Sequence, residues 1–177
     1  DVHSAFSKRE HLIAVFLDIS KAYDMTWRNY ILKSLLDMNL NGNILFYVKN
    51  FLSARKFQVK INNMLSEEKQ LENGVPQGEN LSVILFLLAM NKLQECLPQL
   101  DIKAGLFADD LVVFAKGKNV TSIKRNLQIA LNNLETWSQS TGFRFSVNKT
   151  HAIHFSKTHY NNFNPSLNIN NEPISFV

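Results

Sequence analysis

The chain has 177 residues, the length of one domain or slightly more. Hydrophobic residues make up 45% of it, enough for a sizeable core, and this excludes a disordered chain. A formal charge of +4 is compatible with a polyanionic partner, and a single cysteine, Cys96, excludes both an internal disulfide framework and a cysteine-based zinc site. That cysteine usage suits a reducing, intracellular compartment, and the apolar neighbours of Cys96 predict a buried structural thiol.

Residues 1–11 are polar and mixed, an irregular start or a short helix. Residues 12–17 form a continuous apolar run rich in branched and aromatic side chains, which predicts a strand buried on both faces. The run ends at Asp18. A carboxylate there is costly unless it is paired, metal-bound or capping the next segment. Apolar residues at helical spacing predict amphipathic helices over 27–38 and 44–52, with residues 39–42 as the stop between them. Residues 55–61 alternate basic or polar with apolar side chains and predict a half-exposed strand, with a turn at 62–63 and a return strand over 64–70. Its basic side chains read as a solvated face, or as a nucleic-acid contact if an acidic catalytic site lies elsewhere.

Residues 73–80, with Gly74, Pro76 and Gly78, predict a rigid loop that lets a ligand approach the backbone. Residues 81–97 are apolar almost all round and predict a buried helix. The most apolar part, residues 81–90, is too short to cross a membrane and carries Ser82. Strands are expected over 102–106 and 111–115, with Asp109 and Asp110 in the tight turn between them, because adjacent aspartates are poor strand formers. Residues 120–139 predict an amphipathic helix, with Ile123, Leu127, Ala130, Leu131, Leu134 and Trp137 on one face. A strand over 143–147, a turn at 148–150 and a strand over 151–155 follow, then an Asn-rich loop over 157–171. This order implies an α+β domain, a sheet covered by helices on one face.

Asp18, Asp109 and Asp110 each border an apolar strand-like run. If the runs are neighbours in one sheet, three carboxylates converge. Hard oxygen ligands of this kind suit Mg²⁺, which keeps waters and recruits substrate phosphates. Two such ions about 4 Å apart would activate a 3′-hydroxyl and stabilise a leaving pyrophosphate, so the reaction class would be nucleotidyl transfer.

Four stretches, residues 14–27, 74–88, 107–114 and 142–155, resemble successive motifs of reverse transcriptases, most closely those of non-LTR (LINE-like) retrotransposons. They read as an apolar strand, Asp18, then Lys21-Ala22-Tyr23-Asp24 and Trp27; Gly74-Val75-Pro76-Gln77-Gly78; Phe107-Ala108-Asp109-Asp110; and Gly142 followed by Lys149-Thr150. A lone acidic turn is weak; the ordered set is specific and covers nearly the whole chain. The resemblance implies a polymerase palm-type antiparallel sheet with helices packed on one face, plus part of the fingers, over residues 1–177. It implies an RNA-directed DNA polymerase that joins dNTPs to a DNA primer on an RNA template, with two Mg²⁺ ions (or Mn²⁺), and it implies no membrane association and names no protein partner. Cytoplasm and nucleus are the expected compartments.

By the same resemblance, Asp18, Asp109 and Asp110 are the metal-binding catalytic residues, joined by the backbone carbonyl of Ile19. Tyr23 is the aromatic gate against a ribose 2′-hydroxyl. Gln77 and Gly78 contact the incoming nucleotide and template, and Lys149 is the general acid for the departing pyrophosphate. Bland readings stand beside these: a core aromatic for Tyr23 and a solvated turn lysine for Lys149. Asp24 is expected to serve structure and is left out of the metal set; His151 and His154 show no ligand spacing. The chain departs from the family pattern at Glu79 and Ser82-Val83, and Phe107 replaces a commoner Tyr. Glu79 would set a negative charge near phosphates. The family's N-terminal finger strands, primer grip and thumb are expected outside these residues, so the isolated chain is expected to be inactive. The competing expectation is a degenerate retroelement remnant that folds, or binds nucleic acid, without catalysis.

Overall fold

The computed structural model describes residues 1–98, 101–157 and 165–177. In chain order the elements are α1 (Val2–Ser7), β1 (His11–Asp18), α2 (Ala22–Met25), α3 (Arg28–Asp37), α4 (Asn43–Leu52), β2 (Lys56–Phe57), β3 (Lys60–Ile61), β4 (Met64–Leu65), β5 (Lys69–Gln70) and α5 (Asn80–Met90). A 3₁₀ turn (Asn91–Cys96) follows, then β6 (Ile102–Phe107), β7 (Asp110–Gly117), α6 (Val120–Thr141), a 3₁₀ turn (Val147–Lys149), β8 (His151–Phe155), β9 (Asn168–Ile169), β10 (Glu172–Pro173) and β11 (Ser175–Phe176). The chain divides into two compact units, one of Asp1–Ser20 with Lys92–Val177, the other of Lys21–Asn91.

The first unit is built on a five-stranded sheet in the order β11-β8-β1-β7-β6. All neighbours are antiparallel except β11, which runs parallel to β8. The predicted apolar run is the central strand, β1, and its two faces differ. Ile13, Val15 and Leu17 lie opposite Ala115, Val113 and Leu111 of β7, and all six are buried. This is the face under α6: a Cβ on Gly117, across from His11, would meet Ile123 of α6. The predicted stripe of α6 is buried along its length, and Asn119 caps its N-terminus by accepting from the amides of Thr121 and Ser122. On the other face α1 covers one end, where Ala5 packs with Leu12 and Ala14. The far end is open. Phe16, in the middle of the sheet, is 43% exposed, so β1 is not buried on both faces throughout.

The second unit packs α3 against both α4 and α5. Ile31 and Leu35 of α3 are fully buried, and so are Leu85, Phe86, Ala89 and Met90 of α5. Two expectations fail in this unit. The strand over 55–61 breaks into two short pieces, β2 pairing β5 and β3 pairing β4, and its apolar side chains Phe57, Val59 and Ile61 are exposed as well as its basic ones. Two-residue ladders have no wide sheet to bury a face against. The helix over 81–97 ends at Met90 and tightens into a 3₁₀ turn, and Val83, Ile84 and Leu87 stay exposed, because α3 covers one side of it only.

A further expectation fails in the first unit. Residues 143–147 do not form a strand; a single bridge joins Phe145 to Ile19. Gly142 (φ 87) turns the chain off α6, and Phe143 then stacks on Trp137 at 5.2 Å between ring centroids, with Phe145 tilted against the same indole. Alternating apolar side chains here pack onto a helix instead of pairing along a ladder. The predicted loop over 157–171 falls partly on residues 158–164, outside the described residues; Asn168–Ile169 of that range forms β9, paired with β10.

Candidate active site

Register is what assembles the carboxylates of the first unit. In the β1–β7 ladder Asp18 lies directly opposite Asp110, and in the β6–β7 ladder Asp110 lies opposite Phe107. Residues opposite one another in a sheet share a face, with Cβ atoms about 5 Å apart. Alternation along the strands places Asp18 and Asp110 on the same face as Phe16, Val112 and Gly105, the open one. Together with Lys149 these residues line a cavity of about 590 Å³.

The hairpin turn consists of Ala108 and Asp109 alone, so Asp110, expected in the turn, instead opens β7, where its pairing with both neighbouring strands outweighs the poor strand preference of aspartate. Ala108 adopts φ 54, a left-handed conformation that costs an L-residue about 1–2 kcal/mol. Such a two-residue connection with a positive φ at its first position lets the strands close without splaying. Asp109 sits at the tip and does not line the cavity. Among the described residues no three acidic, histidine or cysteine side chains stand close enough to form a metal cage. The structure therefore brings together Asp18, Asp110 and Lys149, and leaves Asp109 beside them on the turn.

Like charges directly opposite each other in a sheet are destabilising. Asp18 Oδ2 is buried and has no hydrogen-bond partner, while the Lys149 ammonium approaches it to 3.3 Å without forming an aligned bond. Lys149 reaches that point through the aromatic clamp on Trp137. The clamp holds residues 143–146 beside the end of β1, where Ser146 N–H donates to the Asp18 carbonyl and Ser20 N–H donates to the Arg144 carbonyl, each at 2.8 Å. The Ile19 carbonyl takes no part in that bridge. The chain then winds into the 3₁₀ turn that carries Lys149, fixed by Thr150 Oγ1 donating to the Ser146 carbonyl at 2.7 Å.

A buried carboxylate oxygen that makes no hydrogen bond, on a residue opposite a second carboxylate in the sheet, suits a hard cation. Mg²⁺ needs one or two protein carboxylates, because it keeps waters and takes further oxygens from substrate phosphates. Asp18 and Asp110 fit that requirement.

The second unit carries the remaining predicted residues. Tyr23, Gln77 and Gly78 line one cavity of about 380 Å³, shared with Glu79, Asn80 and Val83. The Tyr23 ring stacks on Phe86 of α5 at 4.8 Å, so Tyr23 is held by the core and still faces the cavity. The loop over 73–78 is zipped onto the turn around α2. Gly74 N–H donates to the Thr26 carbonyl at 2.9 Å and Val75 N–H to the Tyr23 carbonyl at 2.8 Å. A Cβ on Gly74 (φ +79) would lie 2.7 Å from the Asp24 carbonyl oxygen, so only glycine fits.

Sequence reasoning missed Arg28 here, and expected Asp24 to serve structure without naming its partner. Arg28 donates from Nε to the Gly74 carbonyl at 3.0 Å and from Nη2 to the Asn73 carbonyl at 3.2 Å. Burial and the neighbouring Arg55 both lower the Arg28 pKa. Asp24 accepts a hydrogen bond from Gln77 Nε2 at 3.2 Å. The only local signal for either was the acidic and basic side chains flanking the aromatic motif.

The sequence model described as reverse transcriptase (RNA-dependent DNA polymerase) matches residues 1–176. The chain belongs to the reverse transcriptase family. It is 26% identical over 157 residues to the RNA-directed DNA polymerase from mobile element jockey of Drosophila melanogaster, covering 86% of this chain and 17% of that protein. It is 30% identical over 145 residues to the Pol polyprotein of the type-2 retrotransposable element R2DM of the same fly, covering 77% of this chain and 13% of that protein. The chain thus spans less than a fifth of these relatives, which are polymerases of non-LTR retrotransposons. Among solved structures it is similar to telomerase from Candida albicans in complex with a fragment of telomeric RNA, at TM-score 0.63 and 17% identity over 95% of this chain and 31% of that one. The apo telomerase of Candida tropicalis truncated of its C-terminal domain gives TM-score 0.62 at 18% identity, over 87% of this chain and 32% of that one. These likenesses show the shared fold. The reverse transcriptase family generally uses divalent metal ions, and no helix among the described residues is long and apolar enough to cross a membrane.

Proposed function

We propose that the chain carries the polymerase centre of an RNA-directed DNA polymerase encoded by a non-LTR retrotransposon, adding dNTPs to a DNA primer on an RNA template in the cytoplasm or nucleus. The observation that carries this reading is the Asp18–Asp110 pair, opposite in register on the open face, with Asp18 Oδ2 buried, without a hydrogen bond and beside the Lys149 ammonium.

Asp18 and Asp110 would hold two Mg²⁺ ions, with Asp109 on the turn and the Ile19 carbonyl as further oxygen ligands. When bound, such ions lower the pKa of a primer hydroxyl and neutralise charge on the leaving phosphates. The protein's own groups do the rest. Lys149, paired with Asp18, would supply the proton to a departing pyrophosphate. Tyr23, backed by Phe86, presents a rigid ring that excludes a 2′-hydroxyl by contact. Gln77 and Gly78 offer a side-chain amide and an open backbone to the nucleotide.

The test is primer extension on an RNA template by the complete polymerase with Mg²⁺ and dNTPs. Extension by the wild type and loss of it in Asp110→Asn, with unchanged folding by circular dichroism, is the expected result. Extension retained by Asp110→Asn would remove the assignment of the site.

A further inference from the structure

Within the second unit the turn around α2 and the loop over 73–78 are joined by more bonds than a chance contact provides. Two backbone hydrogen bonds run between them, Arg28 grips the carbonyls of Asn73 and Gly74, and Gly74 admits no side chain. At the open end of this seam one side-chain contact remains, Gln77 Nε2 to Asp24 Oδ1 at 3.2 Å. Asp24 does not line the cavity; Gln77 does.

A carboxylate can only accept here, so it selects which end of the Gln77 amide faces it. The NH₂ group turns to Asp24. The carbonyl oxygen and one remaining N–H are left for other partners. A glutamine on an exposed loop otherwise samples both amide orientations and several rotamers, and each lost rotamer lowers the affinity of whatever it binds.

We propose that Asp24 is a positioning residue for the nucleotide: it fixes the rotamer and amide orientation of Gln77 and so sets the affinity for the incoming dNTP without touching it. This rests on the polymerase reading and assigns a role to the acidic residue that the metal set leaves out. It also explains why the aromatic gate and the glutamine loop form one piece. Tyr23 and Asp24 are neighbours on the turn, so the bond that orients Gln77 anchors it beside the gate.

The test is a double-mutant cycle in the complete polymerase with Asp24→Ala, Gln77→Ala and the pair, reading KM for dNTP and kcat separately. Loss of a charge-assisted hydrogen bond predicts KM raised about threefold to tenfold in Asp24→Ala, with kcat within about twofold. Asp24→Asn, which keeps an acceptor oxygen, recovers most of the wild-type KM. In a Gln77→Ala background Asp24→Ala adds nothing. An undiminished effect of Asp24→Ala in that background, or a change confined to kcat, would overturn the proposal. A second readout does not need polymerase activity: the side-chain NH₂ resonances of Gln77 in this chain should shift in Asp24→Ala and hold in Asp24→Asn. Unmoved resonances in Asp24→Ala overturn this inference alone. A wild-type polymerase that extends no primer overturns the polymerase reading, and the amide resonances still decide whether Asp24 orients Gln77.

Discussion

The two units position functional groups by different physics. In the first, strand register does the work: eight consecutive β1–β7 pairs put Asp18 opposite Asp110, and slipping by one residue would turn every side chain to the wrong face. In the second, no long ladder exists. Tyr23 and Gln77 are set by a loop zipped to a turn, an arginine on two carbonyls and one glycine that tolerates no Cβ. Register is redundant, so removing one side chain leaves the geometry intact and exposes the chemistry. A zipped loop is not redundant, so single changes there move geometry and affinity together.

The largest effect separates the two cases. Asp18→Asn or Asp110→Asn should lower primer extension by the complete polymerase about 10³-fold or more, with thermal unfolding little changed, because the β1–β7 ladder survives the substitution. Gly74→Ala should do the reverse. With a carbonyl oxygen 2.7 Å from the new Cβ and φ at +79, it should destabilise the protein by about 2–4 kcal/mol, read as a lower denaturant midpoint. A stable Gly74→Ala protein would show that the seam is looser than the distances imply.

Tyr23→Ala should raise ribonucleotide incorporation about 10- to 100-fold relative to deoxyribonucleotides, since a steric gate works by exclusion. Unchanged selectivity would return Tyr23 to the role of a core aromatic stacked on Phe86. Smaller still, Ala108→Gly relieves a left-handed alanine at the cost of a more flexible unfolded chain, and should stabilise the hairpin by about 0.5–1 kcal/mol. A loss of stability there would mean the turn does not require a positive φ. Cys96 is half-buried and not the fully buried thiol its apolar neighbours predict; partial burial, and then the neighbouring Glu95, push the thiol pKa up, so alkylation near neutral pH should be slower than for a free thiol.

What could be read from sequence follows the same division. The β1 run, the acidic hairpin and the stripe of α6 were legible, because period and turn chemistry are local. The missing strand over 143–147 was not, because Phe143 and Phe145 satisfy Trp137 across the unit, and alternation alone cannot distinguish that from a ladder. The exposed side of α5 was not legible either, since apolar residues all round say that a helix should be buried and not how many neighbours it finds. Asp18 and Lys149 are 131 positions apart and Asp24 and Gln77 are 53 apart, so neither contact leaves a local trace. The family resemblance named the residues of both sites. It did not say that Asp24 holds Gln77.

The measurement that tests the central claim most directly is Mn²⁺ titration of this chain followed by paramagnetic broadening of backbone resonances. If Asp18 and Asp110 form the cation site, broadening starts at residues 16–18 and 110–112, reaches Lys149 next and disappears in Asp18→Asn. Broadening centred elsewhere, such as the acidic side chains at Glu67 and Glu68, or unaffected by Asp18→Asn, would contradict it.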